Sequence, residues 1–185
     1  MHWEWEIFYI VILFKTGMKF IFKNVDSKSK KIKNIPITWE KKESEILDKI
    51  RQLTGLILKT EKIICTMDGS TSDGYYGYNN ITLGVKGGII KDDVLMVISH
   101  ELFHIFYWKK VRKMKLSKGA LGKESKKEWE LAEITAYLIT EELKSFWPCA
   151  KVYLYPEIKN LYKKVKKYWG KDFESFLKKS YKIIK

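Results

Sequence analysis

Histidine is nearly absent from this chain. Among 185 residues there are three, His2, His100 and His104, so any chemistry that needs imidazole must use one of them. Cysteine is as scarce. Cys65 and Cys149 are the only two. Two distant thiols make no disulfide framework of the kind small secreted domains need, and the absence of CxxC excludes zinc ribbons and thioredoxin-type redox chemistry. No apolar run approaches the ~20 residues of a membrane helix. The longest near the N-terminus, Ile7–Phe14, follows Glu4 and Glu6 in place of lysines and fits a secretory signal poorly. The expected setting is the cytoplasm. Arginine is rare too: Arg51 and Arg112 are the only two, so the net charge of +14 is almost wholly lysine. Readers of nucleic-acid sequence favour arginine for its forked contacts. A Lys- and Ile-rich chain with one Gln also matches proteins of hot environments. The charge alone therefore selects no partner.

What is present is a foldable chain. Apolar residues make up 45 % of it, and the length suits a single domain over residues 1–185. Residues 1–17 read as an appendage, which an extra strand, a short anchor or a misplaced start codon would each explain. Strands are expected at Met18–Lys23, Leu56–Met67 and Ile81–Val85, and helices at Trp39–Leu53, Asp92–Lys109 and Glu128–Phe146. Two further helices are expected at Pro156–Trp169 and from Asp172 to the end. The stretch Asp68–Asn80 reads as a loop, and residues 111–127 as a basic connection. This order is α+β: a small sheet first, a helical half after it.

Two of the three histidines stand four apart, in His100-Glu101-Leu102-Phe103-His104. Residues i and i+4 share a helix face, so both imidazoles project to one point and suit a Zn²⁺ ion. Glu101 sits one step round the helix, close to that point but badly placed to be a ligand. There it suits a general base that takes a proton from a water at the metal and returns it to a leaving amine. The surroundings support this. Ser99, Glu101 and the two histidines are the only polar residues from Val94 to Phe106. A helix apolar all round is a buried helix, and a buried carboxylate without a cation nearby costs several kcal/mol.

A catalytic zinc takes three protein ligands and leaves a place for water. The extended pattern HExxHxxGxxH is excluded, because Tyr107 and Lys110 occupy its later positions. The third ligand is then a carboxylate. Glu133 is the best candidate: it is the only charge between Leu131 and Ile139, and small Ala132 and Ala136 flank it. Glu130 is the alternative, set nearer the frayed helix start with Lys126 one turn before it.

HELFH followed by a helical Glu133-Ile-Thr-Ala-Tyr137 resembles the zincin metallopeptidases of the gluzincin type, and the chain's size is similar to the minigluzincins. The resemblance covers residues ~56–143. It implies a mostly antiparallel N-terminal sheet packed on the HExxH helix, with Ile81–Val85 as the edge strand that binds substrate. It implies a zinc-dependent endopeptidase acting on a peptide or protein substrate, with His100, His104 and Glu133 on the metal and Glu101 catalytic. The chain departs from many gluzincins four residues after Glu133, where Tyr137 replaces an Asp. Tyr137 is a candidate transition-state stabiliser or a core tyrosine. Tyr75, Tyr76 and Tyr78 line a cleft or pack a turn, and both cysteines read as small core residues. Two alternatives to a general endopeptidase stand. One is a regulatory protease for a single target such as a repressor. The other is a non-catalytic, zinc-stabilised nucleic-acid binder. The Lys-rich C-terminal helices, with ten lysines and three acids over residues 156–185, are the candidate surface for an anionic partner.

Overall fold

The computed structural model describes residues 10–13, 18–23, 30–56, 62–86, 93–117, 124–170 and 172–184. Strands β1 (Ile10–Leu13) and β2 (Lys19–Lys23) are followed by helices α1 (Lys30–Lys33) and α2 (Ile35–Thr54). Strands β3 (Lys62–Asp68), β4 (Tyr75–Tyr76) and β5 (Asn80–Gly84) come next. The regular elements that follow are helices: α3 (Val94–Lys113), α4 (Lys126–Glu142), α5 (Lys159–Val165) and α6 (Phe173–Ile184). Among the described residues no helix is long and apolar enough to cross a membrane.

The fold is α+β with a mixed sheet, not a mostly antiparallel one. Its order is β1-β2-β3-β5-β4. β1 pairs antiparallel with β2 and β4 with β5, whereas β2–β3 and β3–β5 are parallel. The chain between β2 and β3 passes through α2, and a helical crossover returns a strand in the same direction. β5 is not the edge strand either. β4 covers Ile81 and Thr82, and beyond it the Gly84 N–H donates to the Asp73 carbonyl at 3.1 Å. The outer edge on this side belongs to β4. It forms inside the stretch expected to be loop, because two paired residues carry too little pattern to read. Of residues 1–17, Ile10–Leu13 supply an extra strand; the rest lies outside the described residues, as do residues 57–61 of the expected strand Leu56–Met67 and Asp92.

Helix boundaries shift for local reasons. α2 starts at Ile35 instead of Trp39, because Pro36 suits a first turn. It stops at Gly55, whose φ of +63° is the left-handed conformation a helix end favours in glycine. α3 begins after Asp93, whose carboxylate accepts from the Leu95 and Met96 N–H groups. It continues past Lys109 because Val111, fully buried, keeps the apolar face in contact with the core. α4 starts at Lys126 through a capping box between Ser125 and Glu128. The expected helix Pro156–Trp169 is broken by tight turns at Pro156–Ile158 and Lys166–Tyr168.

One hydrophobic cluster joins both halves. It contains Phe20 and Phe22 of β2, Trp39 of α2, Phe103 and Trp108 of α3 and Phe176 of α6, each at most 2 % exposed. α3 runs through this cluster with thirteen of its residues buried. It packs against β4 and β5, α2 and α4, so its middle faces both the sheet edge and the second half.

Candidate metal centre

His100 and His104 lie in the middle of α3, one turn apart on one face. Glu133 lies on α4, between Ala132 and Ala136. Both alanines are fully buried, so no bulk separates this stretch of α4 from α3. His104 is 1 % exposed and Glu133 8 %, while the His100 side chain keeps 26 % of its surface open.

The three side chains converge. His100 Nε2 and His104 Nε2 are 3.1 Å apart. Glu133 turns one oxygen to each ring, Oε2 to His100 at 3.5 Å and Oε1 to His104 at 3.3 Å. Ligands each ~2.0–2.1 Å from a tetrahedral ion stand ~3.3–3.4 Å from one another. The His–His spacing is a little shorter than that and each ring meets a different Glu133 oxygen; with one ligand atom from each residue the three lie within 4.8 Å of one another, so the group can hold a metal ion. Burial alone would push the Glu133 carboxyl up. Hydrogen bonds from His100 and His104 outweigh it and hold the group below the usual carboxylate range. Burial also disfavours a charged His100, but its bond to Glu133 and the charges of Glu101 and Glu133 raise it. Glu130, the alternative ligand, faces elsewhere. It lines a groove with Lys127, Glu157, Asn160 and Lys164 on another side of α4.

Glu101 is 8 % exposed and borders a cleft of about 390 Å³ that also reaches His100. Burial pushes its carboxyl up; the charges of His100 and His104 pull down, and Glu133 pushes up. The net shift is upward. The cleft is lined by Ser72, Asp73 and Gly74 and by Lys151, Val152, Tyr153 and Tyr155. Met96, Val97 and Thr140 contribute from the helices. Gly74 comes so close to α3 that a Cβ there would stand 2.9 Å from Val97 Cγ1 and 3.0 Å from Glu101 Oε1.

Tyr137 does not line this cleft. Its ring packs edge-on against Tyr162 of α5 at 5.6 Å, because one turn beyond Glu133 the side chain swings to the outer flank of α4. The cleft tyrosines are Tyr153 and Tyr155, in a segment without regular structure. Lys151, Tyr153 and Tyr155 are exposed, while Val152 and Leu154 pack against the core. That alternation, visible in KVYLY, was the available signal. Tyr155 leans on Trp129, one turn before Glu133, with ring centroids 6.2 Å apart. Burial raises its phenol, and the charges of Glu133 and Glu101 raise it further. Of the loop tyrosines, Tyr76 stacks on His104, whereas Tyr75 and Tyr78 are exposed. Cys65 is buried as expected, and Cys149 is exposed, beyond the end of α4 where no core covers it.

No protein-family model matches this sequence, and neither curated proteins nor solved structures yield a match to the chain.

Proposed function

We propose that the chain is a zinc-dependent endopeptidase of the gluzincin type. The observation that carries this reading is the mutual spacing of His100, His104 and Glu133, with the carboxylate of Glu101 beside them at a cleft. A zinc ion held by those three residues would polarise a peptide carbonyl and lower the pKa of a bound water toward ~7. The chain's own residues do the rest. Glu101 accepts the proton as the water oxygen bonds to the carbonyl carbon. It then delivers that proton to the amide nitrogen as the C–N bond breaks. Tyr155, kept protonated by burial and then by its acidic neighbours, donates toward the negative charge that develops on the carbonyl oxygen. The cleft is lined by residues 72–74 and by Lys151, Val152, Tyr153 and Tyr155, and a polypeptide substrate would bind along it. The test is cleavage of quenched fluorescent peptides with and without chelator. Activity should vanish with chelator, return with zinc, and fall by ~10²-fold or more in Glu101→Gln. Chelator-resistant cleavage, or full activity in Glu101→Gln, would overturn the reading.

A second reading concerns a partner rather than the reaction, and one observation favours it. Lys167 and Lys179, from the turn after α5 and from α6, both approach the Tyr168 ring, at 5.2 and 5.4 Å. Two like charges drawn to one ring, amid further exposed lysines at Lys163, Lys164 and Lys178, suit an anionic partner. A nucleic acid bound here would release counterions, so its affinity would fall steeply with salt and fall again in Lys167→Glu, Lys179→Glu. Salt-independent binding, or none, would remove this partner.

A further inference from the structure

A metal-ligating histidine is normally held in orientation by the hydrogen bond of its second ring nitrogen, to a carboxylate, a carbonyl or a water. Among the described residues His104 shows no such restraint. Its Nδ1 is buried and without a hydrogen-bond partner among the described residues. What encloses the ring instead is Tyr76. The two rings lie 4.5 Å apart between centroids and 16° from parallel. Tyr76 is fixed at its far end as well, where its hydroxyl accepts a hydrogen bond from Trp108 Nε1 at 2.9 Å. Trp108 follows His104 by one turn on the same face of α3 and is 2 % exposed. The Tyr76 ring therefore spans a turn of α3, stacked on His104 at one end and tied to Trp108 at the other.

The strand register explains why this residue does it. Tyr76 stands opposite Ile81, Ile81 beside Cys65, and Cys65 beside Phe22. The last three are fully buried and form one cross-strand row on the core face. Tyr76 extends that row beyond β5 and over α3. Tyr75 points to the opposite face and is 52 % exposed.

We propose that Tyr76 and Trp108 are a positioning pair for His104, and that through them β4, which directly follows the cleft residue Gly74, sets the affinity of the metal centre. The proposal rests on the zinc reading given above. Rotation of the His104 imidazole would swing Nε2 away from His100 and Glu133. The stack opposes that rotation, because the ring cannot turn without losing face contact. The Trp108 bond keeps Tyr76 from following it. Gly74, two residues before Tyr76, meets Glu101, so one short segment touches both the ligand and the base.

The test uses the full-length protein and two readouts, the zinc dissociation constant by chelator competition and the thermal midpoint of the metal-free chain. Tyr76→Leu removes the stack and should weaken zinc binding by ~10–100-fold, the usual effect of losing a ligand's outer support. Tyr76→Phe removes the hydroxyl alone, while Trp108→Phe removes the donor together with part of a buried ring; each should cost ~2–10-fold in zinc affinity. The loss in zinc affinity of their double variant should be less than the sum of the two, since both delete the same bond. Zinc affinity unchanged within twofold in Tyr76→Leu, with only the midpoint lowered, would reduce the pair to a clamp between β4 and α3. Should Tyr76→Leu fail to fold, the two Phe variants decide: unchanged zinc affinity in both, or additive losses, overturns the pair. Wild-type protein that binds no zinc overturns the zinc reading and the pair together, whereas normal wild-type binding with an unresponsive Tyr76 overturns the pair alone.

Discussion

Gly74 and Glu101 are in such close apposition that a methyl group on Gly74 would sit 3.0 Å from the Glu101 carboxylate oxygen. The space a side chain at residue 74 would fill is therefore the space beside the proposed base, and only glycine leaves it open.

Gly74→Ala should displace the Glu101 carboxylate or push the 72–76 segment outward. Turnover of a fluorescent peptide should fall by about 10-fold or more, as small misplacements of a catalytic group do. Zinc content should stay at the wild-type level, since Gly74 approaches the base and not a ligand. Unchanged turnover in a folded Gly74→Ala protein would mean that the contact does not constrain the base.

The cleft tyrosines make a paired prediction. Tyr155→Phe should lower kcat by about 10²-fold, the scale of losing one oxyanion donor, with little change in KM. Tyr137→Phe should leave both constants near wild type, because that ring packs on Tyr162 away from the cleft. Equal effects in the two variants would contradict the assignment.

The contrast between these tyrosines shows where sequence was informative. Glu133 was legible because a lone charge in an apolar helical run, between two alanines, has to face something polar inside the fold. HELFH was legible because helical spacing alone puts both rings on one face. Tyr137 misled because the same spacing argument says which turn a residue occupies, not which neighbour draws a long side chain sideways. Tyr155 was missed because its segment has no regular structure, so its position depends on packing of Val152 and Leu154. The strand directions were misread because pairing depends on the path of the crossover through α2. The β4 pairing that carries Tyr76 to His104 involves only two residues, too few to set a pattern.

Glu43 supplies a pH prediction away from the cleft. It is fully buried on α2, both carboxylate oxygens are without hydrogen-bond partners among the described residues, and burial, then the Glu40 charge, pushes it up to about 8. The folded chain therefore keeps a proton that the unfolded chain releases near pH 4.5. Between those values stability should fall as pH rises, by up to about 1.4 kcal/mol per pH unit from this group. Glu43→Gln should flatten that slope and raise the thermal midpoint at pH 8. A slope identical in the variant would remove Glu43 as its source.

Replacing the carboxylate ligand should separate α4's two glutamates. Glu133→Gln should weaken zinc binding by about 100-fold or more, beyond the ~10–100-fold cost of an outer-shell partner. Glu130→Gln, changed in a groove on another side of the helix, should bind zinc as wild type. Comparable losses in both would mean that the helix, not the Glu133 carboxylate, matters.

The most direct measurement is the metal content of the purified chain beside three variants, His100→Ala with His104→Ala, Glu133→Gln and Glu101→Gln. The account predicts about one zinc per chain in the wild type and in Glu101→Gln, with the metal lost from the double histidine variant and markedly depleted in Glu133→Gln. A wild type without zinc, or a double histidine variant that keeps a full equivalent, would contradict it.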